Sequence, residues 1–67
     1  MKIHRIKFFN AVKVGKREII YTDEKKDGTK YDINLIDDKL IKLVDTEDGS
    51  IIYTSVFNTV WFEPVEN

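Results

Sequence analysis

The chain has no cysteine, one proline and three glycines in 67 residues, and it contains no long apolar run. Without cysteine there is no disulfide framework of the kind small secreted domains use, no thiolate metal site and no thiol nucleophile. Charges scattered through Met1-Lys2-Ile3-His4-Arg5-Ile6-Lys7 interrupt the continuous apolar core that a signal peptide needs. No stretch approaches the roughly 18 apolar residues of a membrane span. A soluble, cytoplasmic protein without a membrane role is the expectation. Histidine is equally scarce: His4 is the only one.

What is present is apolar enough to fold. Hydrophobic residues make up 42 % of the chain and eight residues are aromatic, which is not the composition of a disordered segment. At this length, residues 1–67 form one domain with one small core. Net charge is −1, but its distribution is uneven. Residues 1–17 hold six cations (Lys2, Arg5, Lys7, Lys13, Lys16, Arg17) and no acid, whereas the rest holds five lysines and all twelve acids.

Hydrophobic periodicity predicts strands. From His4 to Val14 the even positions carry Ile6, Phe8, Val12 and Val14, while Arg5, Lys7 and Lys13 stand at odd positions, as in a half-buried strand with a bend near Asn10-Ala11. Gly15-Lys16 reads as a turn into a second strand, Glu18 to Thr22, and Asp23 to Lys30 as a polar loop reversing at Asp27-Gly28. Tyr31, Ile33 and Leu35 alternate with polar residues in a third strand. Leu35 to Val44 fits either a short helix capped by Asp37 or Asp38 or a further strand, and the strand is preferred because a helix of about seven residues is too short to be stable alone. Thr46-Glu47-Asp48-Gly49 suits a hairpin loop leading to Ser50–Thr54. Alternation fails at Phe57-Asn58, which places a single tight 3-10 turn before a last strand from Val60 to Glu63. The expected core is Ile6, Phe8, Val12, Val14, Ile20, Ile33, Leu35, Leu43, Ile52, Val56, Val60 and Phe62.

Five or six short antiparallel strands with one such turn predict an all-β, SH3-like barrel, closed so that no edge is exposed. The strand order and the ending Phe57-Asn58-Thr59-Val60-Trp61-Phe62-Glu63 resemble small SH3-like barrel proteins encoded by bacteriophages and mobile elements. That resemblance implies an accessory or inhibitory protein acting by binding, anti-defence inhibition included, and it carries over no catalytic residue.

Candidate chemistry is sparse, and no enzyme activity is expected. His4 lies near a chain end, a poor platform for a general base that must be held in place. Asp37-Asp38 fits turn chemistry better than a proton-sharing pair. A calcium loop starting at Asp23 fails at Lys25 and Asn34, and the cluster Asp45-Glu47-Asp48 has Ser50 where such a loop needs glycine. No metal or cofactor is therefore expected.

Binding is the better expectation. Arg5, Lys7, Phe9 and Lys13 share the outer face of the first strand, a cationic row that could contact nucleic acid, with Phe9 stacking on a base, unless acids such as Asp32 pair with it. Phe9, Tyr53 and Trp61 are aromatics beyond what the core needs, and exposed aromatics favour a protein partner. Trp61 could instead plug the barrel end. The opposed charge of the basic first 17 residues and the acidic remainder also suits a structural role, self-association into a small homo-oligomer, and the alternative to that is a monomer.

Overall fold

A computed structural model describes residues 1–27 and 30–66. It contains strands β1 (Lys2–Val14), β2 (Arg17–Asp23), β3 (Tyr31–Ile36), β4 (Leu40–Asp45), β5 (Ile51–Ser55) and β6 (Thr59–Pro64). A four-residue helix, α1 (Glu24–Asp27), follows β2, and a 3-10 turn, Val56–Asn58, precedes β6. The strands form one antiparallel sheet in the order β2-β1-β3-β4-β5, with β6 paired to β1. The stretch over which helix and strand competed, residues 35–44, holds the end of β3, a turn at residues 37–39 and most of strand β4, with no helix. Asp37 and Asp38, at φ 52° and 56°, form a two-residue reversal closed by the Lys39 N–H bonding to Ile36 O at 3.0 Å. Both residues tolerate the left-handed region, which the primed hairpin turns require.

The expected barrel does not close. Among the described residues β5 pairs only with β4, so the sheet stays open. Where β5 would have met β1, Asn58 stands between turn and strand: its Oδ1 accepts from the Asn10 N–H at 2.9 Å and its Nδ2 donates to Asn10 O at 3.0 Å. The polar loop expected from Asp23 is also corrected. Strand β2 continues through Asp23, whose Oδ1 accepts the Lys25 N–H at 3.0 Å and so starts α1. Gly28, half of the expected Asp27-Gly28 reversal, lies outside the described residues. Gly15 makes the β1–β2 turn at φ 60°, and a Cβ there would lie 2.7 Å from Ser50 Oγ, so the turn is pressed against the β4–β5 loop.

Ile3, Ile6, Phe8, Val12, Val14, Ile19, Ile33, Leu35, Ile41 and Leu43 form the core, with Tyr31, Ile52, Val56 and Phe62 half-buried against it. Two expected core residues, Ile20 and Val60, are on the outside at 51 % and 43 % exposure, and Ile3, Ile19 and Ile41 are inside instead. Bulges account for most of these exchanges. Between the pairs Lys7↔Tyr21 and Val12↔Ile19, β1 runs through four residues while β2 passes only Ile20, so Ile19 turns inward and Ile20 outward. Between Lys7↔Trp61 and Phe8↔Thr59 the extra residue is Val60, which is displaced to solvent. Between Ile3↔Pro64 and Arg5↔Glu63 it is His4, which lets Ile3 face the same way as Ile6. Ile41 needs no bulge, since it shares a strand face with Leu43 and pairs with Leu35.

These placements predict opposite outcomes for two isoleucines. Ile41→Ala empties a fully buried site and should cost about 2–5 kcal/mol, a large share of what so small a domain has. Ile20→Ser should stay within about 0.5 kcal/mol of the parent. Urea unfolding midpoints followed by circular dichroism measure both.

Candidate functional site

The outer face of β2-β1-β6 gathers the side chains that sequence periodicity placed outside. Register sets Arg5 opposite Asp23 on one side and Glu63 on the other, and Lys7 opposite Tyr21 and Trp61 in the same way. Two adjacent cross-strand rows result, one ionic and one aromatic with a lysine at its centre. Arg5 makes an ion pair with Glu63 Oε1 and lays its guanidinium 5.0 Å from the Trp61 ring centroid. Tyr21 meets Trp61 edge to face, with centroids 5.9 Å apart and planes at 68°. Its hydroxyl donates to Asp23 Oδ2 at 3.3 Å. Trp61, 37 % exposed, therefore lies on the sheet surface and does not plug an end of the core.

Within the cluster the charged groups pair with one another, but the Arg5 Nε–H is buried and has no hydrogen-bond partner among the described residues. The hydrogen bond to Glu63 holds Arg5 above its ordinary pKa against the opposing effect of burial. Burial raises the Asp23 carboxyl, but the Lys25 N–H, the Tyr21 hydroxyl and the charges of Arg5 and Lys26 outweigh it, and the net shift is downward. His4 does not fray as its position near the chain end suggested. Its side chain is 13 % exposed and its Nε2 lies 3.2 Å from Glu63 Oε2. The Met1 amino group donates to Leu35 O at 3.1 Å and Met1 O accepts the Leu35 N–H at 2.8 Å, which pins the start of β1 to β3.

The expected residues do not form one site. Arg5, Lys7 and Trp61 are neighbours, and Tyr21, overlooked in the sequence, completes their group. Alternation from the expected inward Ile20 already turns Tyr21 outward, and its cross-strand position opposite Lys7 brings it to the same face. Phe9 and Lys13 lie further along β1, both exposed, with Lys13 opposite Glu18. Tyr53 is on β5, opposite Lys42, in a different part of the sheet. Asp32, the acid expected beside the cationic row, faces Val44 on β4, and the acids actually beside Arg5 are Glu63 and Asp23.

The acidic loops are occupied by their own backbone. Asp45 Oδ1 accepts the Glu47 N–H and Asp48 Oδ1 the Ser50 N–H, each at 2.8 Å. The Ser50 backbone bond, reinforced by its side chain, holds Asp48 below the usual carboxylate range. Among the described residues no three His, Asp or Glu side chains group as metal ligands would, and no helix is long and apolar enough to cross a membrane. No protein-family model, curated protein or solved structure matches this chain.

The lowered Asp23 and Asp48 values fix a direction for acid sensitivity. Both carboxylates favour the folded state fully above their unfolded value of about 3.9, and that contribution disappears as pH falls through their lower folded values. Stability measured from about pH 5 down to pH 2 should therefore decline. Asp23→Asn should flatten the decline, and an unchanged slope would show that Asp23 has no part in it.

Proposed function

We propose that the chain is a non-catalytic protein-binding module whose contact face is the outer surface of β2-β1-β6. One observation carries this reading: Trp61, Arg5 and Tyr21 touch one another on an exposed sheet face, with Lys7 between the two aromatics in register. Tryptophan, tyrosine and arginine are the residue types that most often dominate the energy of protein interfaces. Held by stacking and by Glu63, they lose little further side-chain freedom on docking, which lowers the cost of association. Phe9 extends the face along β1.

The strand order with its 3-10 turn before the last strand supports an SH3-like arrangement, here with an open sheet. Together with the likeness of the C-terminal segment to small proteins of phages and mobile elements, it supports an accessory protein of that kind. Such a protein acts in the cytoplasm by occupying a host protein and inhibiting or redirecting it. Nucleic acid is the weaker partner. Of the cationic row, Arg5 is neutralised by Glu63, and Lys7 and Lys13 alone make no ion pair among the described residues. Two lysines neutralise too few phosphates to bind tightly at physiological salt.

Immobilised protein exposed to bacterial lysate should retain a partner through washes of rising salt. Trp61→Ala should weaken retention by about 30-fold or more, the loss of one hot-spot residue, while Lys39→Ala at the β3–β4 turn leaves it unchanged. Undiminished retention by both Trp61→Ala and Arg5→Ala would remove this face as the contact surface. Tight oligonucleotide binding that fades with salt and is abolished by Lys7→Glu would favour nucleic acid instead.

A further inference from the structure

Among the described residues Lys7 is the one lysine of the sheet with an aromatic residue opposite it on both sides. Lys2 faces Asn34, Lys13 faces Glu18, and Lys42 faces Asn34 and Tyr53, whereas Lys7 faces Tyr21 and Trp61. An acid directly opposite is what ordinarily balances a lysine on a sheet surface. Here it is missing, and Lys7 makes no ion pair among the described residues. The acids nearest in register, Asp23 and Glu63, stand opposite Arg5 and are already engaged. Glu63 gives one carboxylate oxygen to Arg5 and the other to His4, while Asp23 accepts from the Lys25 N–H and the Tyr21 hydroxyl.

The two directions along β1 from Lys7 differ in character. Toward Arg5 lie these two carboxylates. Toward Phe9 charge disappears, since residues 8–12 and 50–62 include no Asp, Glu, Lys or Arg in a chain that is 34 % charged. Asn58 joins the two segments through its paired bonds to the Asn10 backbone. Around that junction Phe9 is 63 % exposed, Phe57 88 % and Val60 43 %. The turn that carries Phe57 is fixed by its own bonds: Ser55 Oγ accepts the Phe57 N–H at 3.1 Å, and Thr59 Oγ1 donates to Val56 O at 2.6 Å. A charge-depleted, aromatic-rich surface has the composition of the centre of an interface.

We infer, on the reading that this face binds a partner protein, that the partner sets an acidic side chain on Lys7 between Tyr21 and Trp61, with an adjoining aromatic or aliphatic side chain directed toward Phe9 and Phe57. Charge complementarity selects the acid, because Lys7 is the uncompensated charge among the aromatic residues. Asp23 and Glu63 select the direction, because they repel further negative charge on their side and leave the uncharged side for the apolar group. Docking between two rings also excludes water from the new ion pair, which strengthens it relative to one in open solvent. A nucleic-acid strand fits less well. Its phosphates recur along the backbone, and those beyond Lys7 would meet the two carboxylates in one direction and a segment without cations in the other.

Blocked dipeptides test this chemistry directly. Acetyl-Glu-Phe-amide should shift the Trp61 and Tyr21 ring resonances in an NMR titration, with half-saturation on the order of 1–10 mM for so small a ligand. Acetyl-Gln-Phe-amide should bind about 5-fold more weakly, the worth of one exposed ion pair, and acetyl-Lys-Phe-amide more weakly still. Lys7→Met should abolish the preference for the Glu over the Gln peptide, and Lys7→Arg should keep it. Lys7→Glu should reverse the order in favour of the Lys peptide, an inversion that a folding defect could not mimic. Lys42→Met, which removes a lysine opposite a single aromatic residue, should change nothing. Equal binding of the Glu and Gln peptides, a preference that survives Lys7→Met, or stronger shifts from oligothymidylate than from the Glu peptide would overturn the inference. The reading beneath it is judged separately: loss of the lysate partner on Trp61→Ala upholds the face as the contact surface whether or not the dipeptides discriminate.

Discussion

Strand β1, thirteen residues long, pairs with three other strands, and every other feature of the molecule is arranged around meeting that demand. One edge of β1 carries β6 along Ile3 to Phe8, and the other carries β3 at Lys2-Ile3 and β2 from Arg5 onward. A strand enclosed in this way must present apolar side chains to one face consistently, or its backbone bonds would be made at the cost of exposed core surface. Ile3, Ile6, Phe8, Val12 and Val14 supply half of the fully buried core from this one strand. The bulges that keep them inward also give the sheet the bend it needs to wrap its own core.

The same constraint assembles the outer face. Once Ile6 is committed inward, Arg5 and Lys7 must point outward, and pairing on both sides brings Asp23, Glu63, Tyr21 and Trp61 next to them. The ionic row is self-neutralised, so the face is less cationic than the first 17 residues suggest. What it offers a partner is a stacked aromatic surface with Lys7 at its centre. Segregation of charge along the chain is thereby largely undone in space, since β2 and β6 bring acids back to the basic first strand.

Period-two patterning made the strands, the hairpin reversals and the turn before β6 readable, because each depends on neighbours in sequence. Phe8 and Leu43 were legible as core for the same reason. Ile20 and Val60 were not, because the bulges that expose them arise only when two strands are laid side by side, and nothing local to either residue announces the extra count. Barrel closure was likewise out of reach. It depends on whether β5 approaches β1 along its length, and a single asparagine, Asn58, takes up that position instead. Within the site, Arg5, Lys7 and Trp61 followed from alternation, and so does the outward direction of Tyr21, but only the register places Tyr21 beside Lys7 and Trp61.

Trp61 is the chain's only indole, and it sits on the seam between β1 and β6, outside the core. Its fluorescence therefore reports attachment of the last strand and not the packing of Ile6, Ile41 and Leu43. Far-ultraviolet dichroism follows the whole sheet. Should the two signals separate during unfolding, the earlier optical change would identify β6 as the piece that peels away while the remaining strands hold.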